Sequence, residues 1–107
     1  MKLRVLAIAG VILAAPTLAV AQNPTAVQQA FMDVHNKMMA SMQPKTTGNA
    51  DKDFAAMMIP HHQGAIDMAK IELQHGKDPK LRAMAEEIIK AQEKEIAELK
   101  DWQSKNK

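Results

Sequence analysis

The sequence predicts an all-α protein, an up-down antiparallel helical bundle with three main helices. Apolar residues recur at spacings of three and four through three long stretches, and no period-2 alternation marks a strand. The stretches are parted by two groups of loop residues, Pro44-Lys-Thr-Thr-Gly-Asn49 and Gly76-Lys-Asp-Pro79. Both connections are short, which favours antiparallel neighbours.

The first segment, Met1–Ala21, has the pattern of a secretory signal. Lys2 and Arg4 form a basic start, Val5–Ala15 is apolar, Pro16 breaks the run, and Ala19-Val20-Ala21 is a small-x-small cleavage site. The apolar run is short for a membrane span, and no basic stop-transfer cluster follows it. The expected organisation is a signal peptide over 1–21 and one helical domain over 22–107. Cleavage near Ala21 would release the mature chain from the membrane into a bacterial periplasm.

In the mature chain Gln22–Pro24 is a polar lead-in and Thr25 a suitable N-cap. Ala26 to Gln43 then runs without Gly or Pro, with Val27, Ala30, Phe31, Val34 and Met38 at helical spacing, and Pro44 ends it. Asn49 or Asp51 can cap the second helix, and Asp51 and Asp53 suit its positive end. This helix runs to about His75, with Gly76 as its stop. Asp78-Pro79 opens the third helix, with Asp as N-cap and Pro at the first helical position. Leu81, Met84, Ala85, Ile88, Gln92, Ile96 and Leu99 mark one face of it, to an end near Trp102–Lys105. Three helices of this size leave a thin core, and a homodimer would enlarge it.

Composition removes several functions. The 107 residues contain no Cys, so there is no disulfide, thiolate zinc site, iron–sulfur cluster or thiol nucleophile. No Tyr, two Phe and one Trp give little platform for stacking bases. Loss of Met1–Ala21 removes two of 14 basic residues and none of 12 acidic ones, leaving a net charge of zero. A nucleic-acid binder would keep a basic surplus. What stands out is nine Met and four His.

On helix one, with Val27 at zero and about 100° per residue, the aliphatic stripe and Met38 lie near 0–20°. Met38 fills core space there. Met42, His35, Met39 and Met32 fall at roughly 60°, 80°, 120° and 140°, a second stripe of sulfur and nitrogen donors along the flank. On helix two, with Phe54 at zero, Gln63, Asp67, Lys70 and Gln74 form a polar back. The apolar front holds Phe54, Met58, Ala65, Met68, Ala69 and Leu73. His61 falls at about −20° and His62 at about 80°, so both imidazoles are expected on a buried face. Burial there is costly unless their nitrogens have partners. Met57 lies one turn before His61 and Met58 one turn before His62, each pair about 6 Å apart along the axis. Gly64 removes bulk nearby, and Pro60 breaks one backbone hydrogen bond and is expected to kink the helix.

Thioether plus imidazole selects Cu(I), or its mimic Ag(I), and tolerates Cu(II) at the imidazoles. Zinc would call for Cys, His and carboxylate. Glu72-x-x-His75 occurs once, where a di-iron bundle needs two such motifs and further Glu. No His-Glu-x-x-His, phosphate loop or Gly-x-Ser-x-Gly is present, so no catalytic set assembles and the chain is not expected to be an enzyme.

At Asp53-Phe-Ala-Ala-Met-Met-Ile-Pro-His-His-Gln-Gly-Ala-Ile-Asp-Met-Ala69 the chain resembles the DUF305 family, exported bacterial proteins with a ferritin-like helical bundle, among them the copper-binding CopM-type proteins. The resemblance covers most of the mature chain and implies periplasmic copper handling. Its motif maps onto Met57, Met58, His61, His62 and Met68, with Asp53 at its start. The chain is short for the family and carries no second His-His segment. The expected function is a copper buffer or carrier. Met57, Met58, His61 and His62 are its central donors, with Met68, His35, Met39 and Met42 beside them. The rival expectation is a metal-free helical interaction module with an adaptable Met-rich face.

Overall fold

The structure, a computed structural model, describes residues 24–43 and 46–107. The segment read as a signal peptide lies outside the described residues. Three helices follow in order, α1 over Pro24–Ser41, α2 over Ala50–His75 and α3 over Pro79–Lys105, and the described residues contain no strand. The all-α, three-helix expectation is met.

Helix α1 starts at Pro24, where the missing proline N–H is one that a helix start leaves unbonded anyway. Thr25, expected as the cap, is therefore inside the helix. It stops at Ser41, two residues before the sequence expectation. The Ser41 hydroxyl donates to the Lys37 carbonyl at 2.8 Å and the Met42 N–H to Met38 at 2.9 Å.

Asn49, rather than Asp51, caps α2, its side chain accepting from the Lys52 N–H at 3.1 Å. Just before it, Gly48 takes φ +82°, a left-handed conformation that disfavours any side chain. Both oxygens of Asp53 hold this turn. One accepts from the N–H and hydroxyl of Thr47, each at 2.8 Å, and the other from the Gly48 N–H at 3.0 Å. Helix α2 continues as α-helix through Pro60 to His75.

A three-residue elbow joins α2 to α3. Gly76 has φ −73°, so its value there is not left-handed freedom. A Cβ would stand 2.6 Å from the Glu72 carbonyl oxygen, closer than real atoms approach. Asp78 caps α3 by accepting from the Leu81 N–H at 2.9 Å, with Pro79 following as expected. The Arg82 guanidinium donates to the Leu73 carbonyl at 2.8 Å and the Gly76 carbonyl at 3.0 Å. A cation thus satisfies acceptors at the negative end of α2.

The helices form an open layer with α2 in the middle. Helices α1 and α3 each pack against α2, and among the described residues the α1 and α3 backbones stay apart, with no Cα of one within 8 Å of the other. Both packings are antiparallel. Met38 meets Gly64 while Phe31 shares a groove with Met68, and Arg82 meets Leu73 while Trp102 shares a groove with Asp51. The sandwiched helix therefore buries two opposite flanks. Ala55, His62, Ile66 and Ala69 face α3, and Gly64 and Ile71 lie on the α1 side. Ile66 is the one large side chain that is fully buried among the described residues, so the core is as thin as the chain length suggested. Lys37 ties the polar back of the layer together through Asp67 at 3.5 Å.

This corrects the assignment of faces on α2. Its front, around Phe54, His61 and Met68, is not the core. Phe54 is 60% exposed, Met68 40%, and His61 is exposed. An apolar front on the middle helix of a layer lies between its two neighbours, and only the flanks are covered.

Candidate metal centre

The adjacent histidines divide between two environments. His62 is buried, at 7% exposure, whereas His61 is exposed, contrary to the expectation that both rings are buried. A step of one residue turns a helix by about 100°, enough to carry one ring into the α2–α3 seam and leave its neighbour on the open face. The ring centroids lie 6.2 Å apart with planes inclined by 59°.

The buried ring has a partner that sequence reasoning missed. His62 Nε2 forms a hydrogen bond with Glu95 Oε2 on α3. An ionised carboxylate only accepts, so Nε2–H is the donor. In the neutral ring the lone pair then sits on Nδ1, and Nδ1 is buried without a hydrogen-bond partner. The Oε1 atom of Gln92, one turn before Glu95, is likewise buried and unpaired. Glu95 was legible as an acid three residues after Gln92 and four before Leu99, on the apolar edge of α3 rather than on its solvated side.

Met58, His62 and Glu95 line a groove of 530 Å³ between α2 and α3, walled by Phe54, Leu99 and Trp102, with Asp51 and Glu98 as further acids. Met57 is half-buried and sits on the other side of the front, towards α1. The α1–α2 register follows from Met38 over Gly64. One turn further along α1 sets the half-buried Met42 opposite Pro60, beside the Met57–His61 turn, and His35 falls opposite Asp67 and Met68. Phe31 shares a 320 Å³ groove on the front with Met68, Leu81 and Met84, while Lys37 is on the back. The stripe of Met32, His35 and Met39, which continues round from Phe31, therefore emerges on the front as well. Met32 and Met39 are about half exposed and His35 is exposed.

The eight donors read from the sequence thus fall into three groups. Met57, His61, Met42 and Met39 lie at neighbouring levels near α1. His35 and Met68 lie further along the same open face. Met58 and His62 turn towards α3 and Glu95. Among the described residues no three His, Asp or Glu side chains converge as a metal-binding group. The donor chemistry fits a soft ion, and the unpaired Nδ1 of His62 is a lone pair available for one.

Residues 14–103 match the family model described as "Domain of unknown function (DUF305)". The chain belongs to the DUF305 family. A similar curated protein is "Uncharacterized protein L153" of Acanthamoeba polyphaga mimivirus, 43% identical over 49 residues. That match takes in 46% of this chain and 32% of the viral protein, so the chain corresponds to about a third of that relative's length. In this DUF305 chain no described helix is long and apolar enough to cross a membrane.

Proposed function

We propose that this DUF305 chain is an exported, periplasmic copper-binding protein of the CopM type. It acts as a buffer or carrier that holds Cu(I), and Cu(II) at its imidazoles, without turning over a substrate. The observation that carries the reading is the repeated pairing of a thioether with an imidazole one turn later, Met57 with His61 and Met58 with His62. Uncharged sulfur and neutral nitrogen donors are the set that a soft monovalent ion prefers. On the α3 side, Glu95 fixes the tautomer of His62, as a carboxylate commonly does for a metal-ligating histidine. On the open side, His61 is reachable from solvent, and Met68, His35, Met39 and Met42 supply further lone pairs.

The test is a competition titration against a chromophoric Cu(I) chelator, run on wild type and on Met57→Leu with His61→Ala. Tight Cu(I) binding is expected to disappear in the variant while far-ultraviolet circular dichroism stays unchanged. Wild-type affinity in a folded variant overturns the reading.

The exposed apolar front favours one second reading, a helical interaction module that works without metal. Elemental analysis of protein recovered from the periplasm separates the two, since copper is expected to accompany the protein only in the first.

A further inference from the structure

Among the described residues seven large apolar side chains are conspicuously exposed, and all of them lie on one face of the layer. They are Phe31, Met32 and Met39 of α1, Phe54 and Met68 of α2, and Leu81 and Met84 of α3, each 39 to 60% exposed. The opposite face carries Lys37, Gln63, Asp67 and Lys100 around a groove that Met38, Ala56, Ile59 and Ile96 also line, and none of those last four is exposed. A two-sided layer with one apolar side is half of a closed bundle. Side chains of roughly 200 Å² each, exposed to that degree, present on the order of 600 Å² per chain, against about 800 Å² per partner in a standard stable interface. The half-buried Met58, Ala65, Ile88, Leu99 and Trp102 on the same face supply the remainder.

We propose that this face is the interface of a homodimer in which two three-helix layers close front to front. Net charge supports a second copy as the occupant, because residues 22–107 carry 12 basic and 12 acidic side chains and two copies meet without long-range repulsion. The area on offer, close to what a self-complementary pair needs, supports it too. The acids that line the front grooves, Asp51, Glu72, Glu95 and Glu98, meet their like across the interface. Salt screens that contact, so dimerisation tightens as ionic strength rises. Docking of a basic partner on the same acids would weaken instead. His35, Met39, His61 and Met68 of each copy then face the partner's front. The dimer itself needs no copper, so it stands or falls apart from the copper reading.

The experiment is analytical ultracentrifugation of the chelator-treated protein as recovered from its host, at several salt concentrations, beside Met68→Lys and Met84→Lys. Both substitutions fall on already exposed positions, so helicity by circular dichroism is expected to hold. The expected result is a metal-free wild-type dimer that tightens with salt and weakens by on the order of 100-fold in either variant. A control on the back, Gln63→Lys, is expected to leave it intact. Three outcomes overturn the inference: a wild type that stays monomeric throughout, one that pairs only when copper is added, or front variants that dimerise as well as the control.

Discussion

His62 of α2 and Glu95 of α3 form a hydrogen bond that crosses the helix seam, and it leaves Nδ1 of the same ring buried with no partner. Two consequences follow from one contact. The ring is locked in place by the carboxylate, and its second nitrogen is kept unprotonated in the neutral form.

Replacing Glu95 with Leu removes that lock while keeping an apolar wall. Long-range nitrogen–proton spectra of the imidazole are expected to show His62 as the Nε2–H form in wild type and as a mixture in Glu95→Leu. Copper affinity is expected to fall about 10- to 100-fold, the usual cost of losing a ligand's orienting partner. An unchanged tautomer in the variant would show that Glu95 has no such role.

The two histidines should differ in stability although they are adjacent in sequence. His62→Ala empties a buried, hydrogen-bonded position and is expected to cost about 1–3 kcal/mol in urea denaturation. His61→Ala alters an exposed side chain and should stay within about 0.5 kcal/mol. Equal losses for the two would contradict the division of the rings between seam and open face.

Helix α1 is seated by a close approach rather than by a broad interface. A Cβ on Gly64 would stand 2.5 Å from the sulfur of Met38 and 3.3 Å from its Cβ, so Met38 and part of α1 must shift to admit one. Gly64→Ala gains roughly 0.5–1 kcal/mol of helix propensity. It loses about 1–3 kcal/mol to overpacking, with net destabilisation expected. Adding Met38→Ala should relieve the clash, giving a favourable coupling of at least about 0.5 kcal/mol in a double-mutant cycle. Additive effects would mean that the two side chains are independent.

At the elbow, Arg82 supplies two hydrogen bonds to carbonyls at the end of α2. Arg82→Leu is expected to lower stability by about 1.5–3 kcal/mol, and to speed amide exchange around the elbow before the rest of the chain. Uniform exchange in the variant would argue against a local clamp.

Asp53 gives the fold an acid-sensitive start to α2. Hydrogen bonds from the Thr47 backbone N–H first and the Thr47 hydroxyl next hold its carboxyl below the ordinary value of 3.8; desolvation opposes them, and the Gly48 N–H adds a smaller lowering effect. A depressed folded value means that its contribution is complete above the unfolded value and is lost as pH falls through the lower folded one. The stability difference between wild type and Asp53→Asn should therefore be constant above about pH 5 and shrink below about pH 4. A difference that does not change with pH would remove the carboxylate from this account.

Several features were readable from residue order alone. The α2 and α3 caps at Asn49 and Asp78, the elbow at Gly76–Pro79 and the two long helices on either side of it are local. They depend on dihedral preferences and on backbone groups only a few residues away. The spacing of Met57 and Met58 before His61 and His62 is local in the same sense, because one helical turn sets it. Which way those side chains look is not local. A helical wheel shows that α2 has an apolar front, but in an open layer that front lies between the neighbours and stays uncovered, while the flanks are buried. Only the packing of α1 and α3 on opposite sides of α2 placed His62 inside and His61 outside. The Glu95 contact spans 33 residues of sequence, so no local pattern determines it. The seating of Met38 on Gly64 likewise depends on the register of two antiparallel helices, which is set by where their side chains fit.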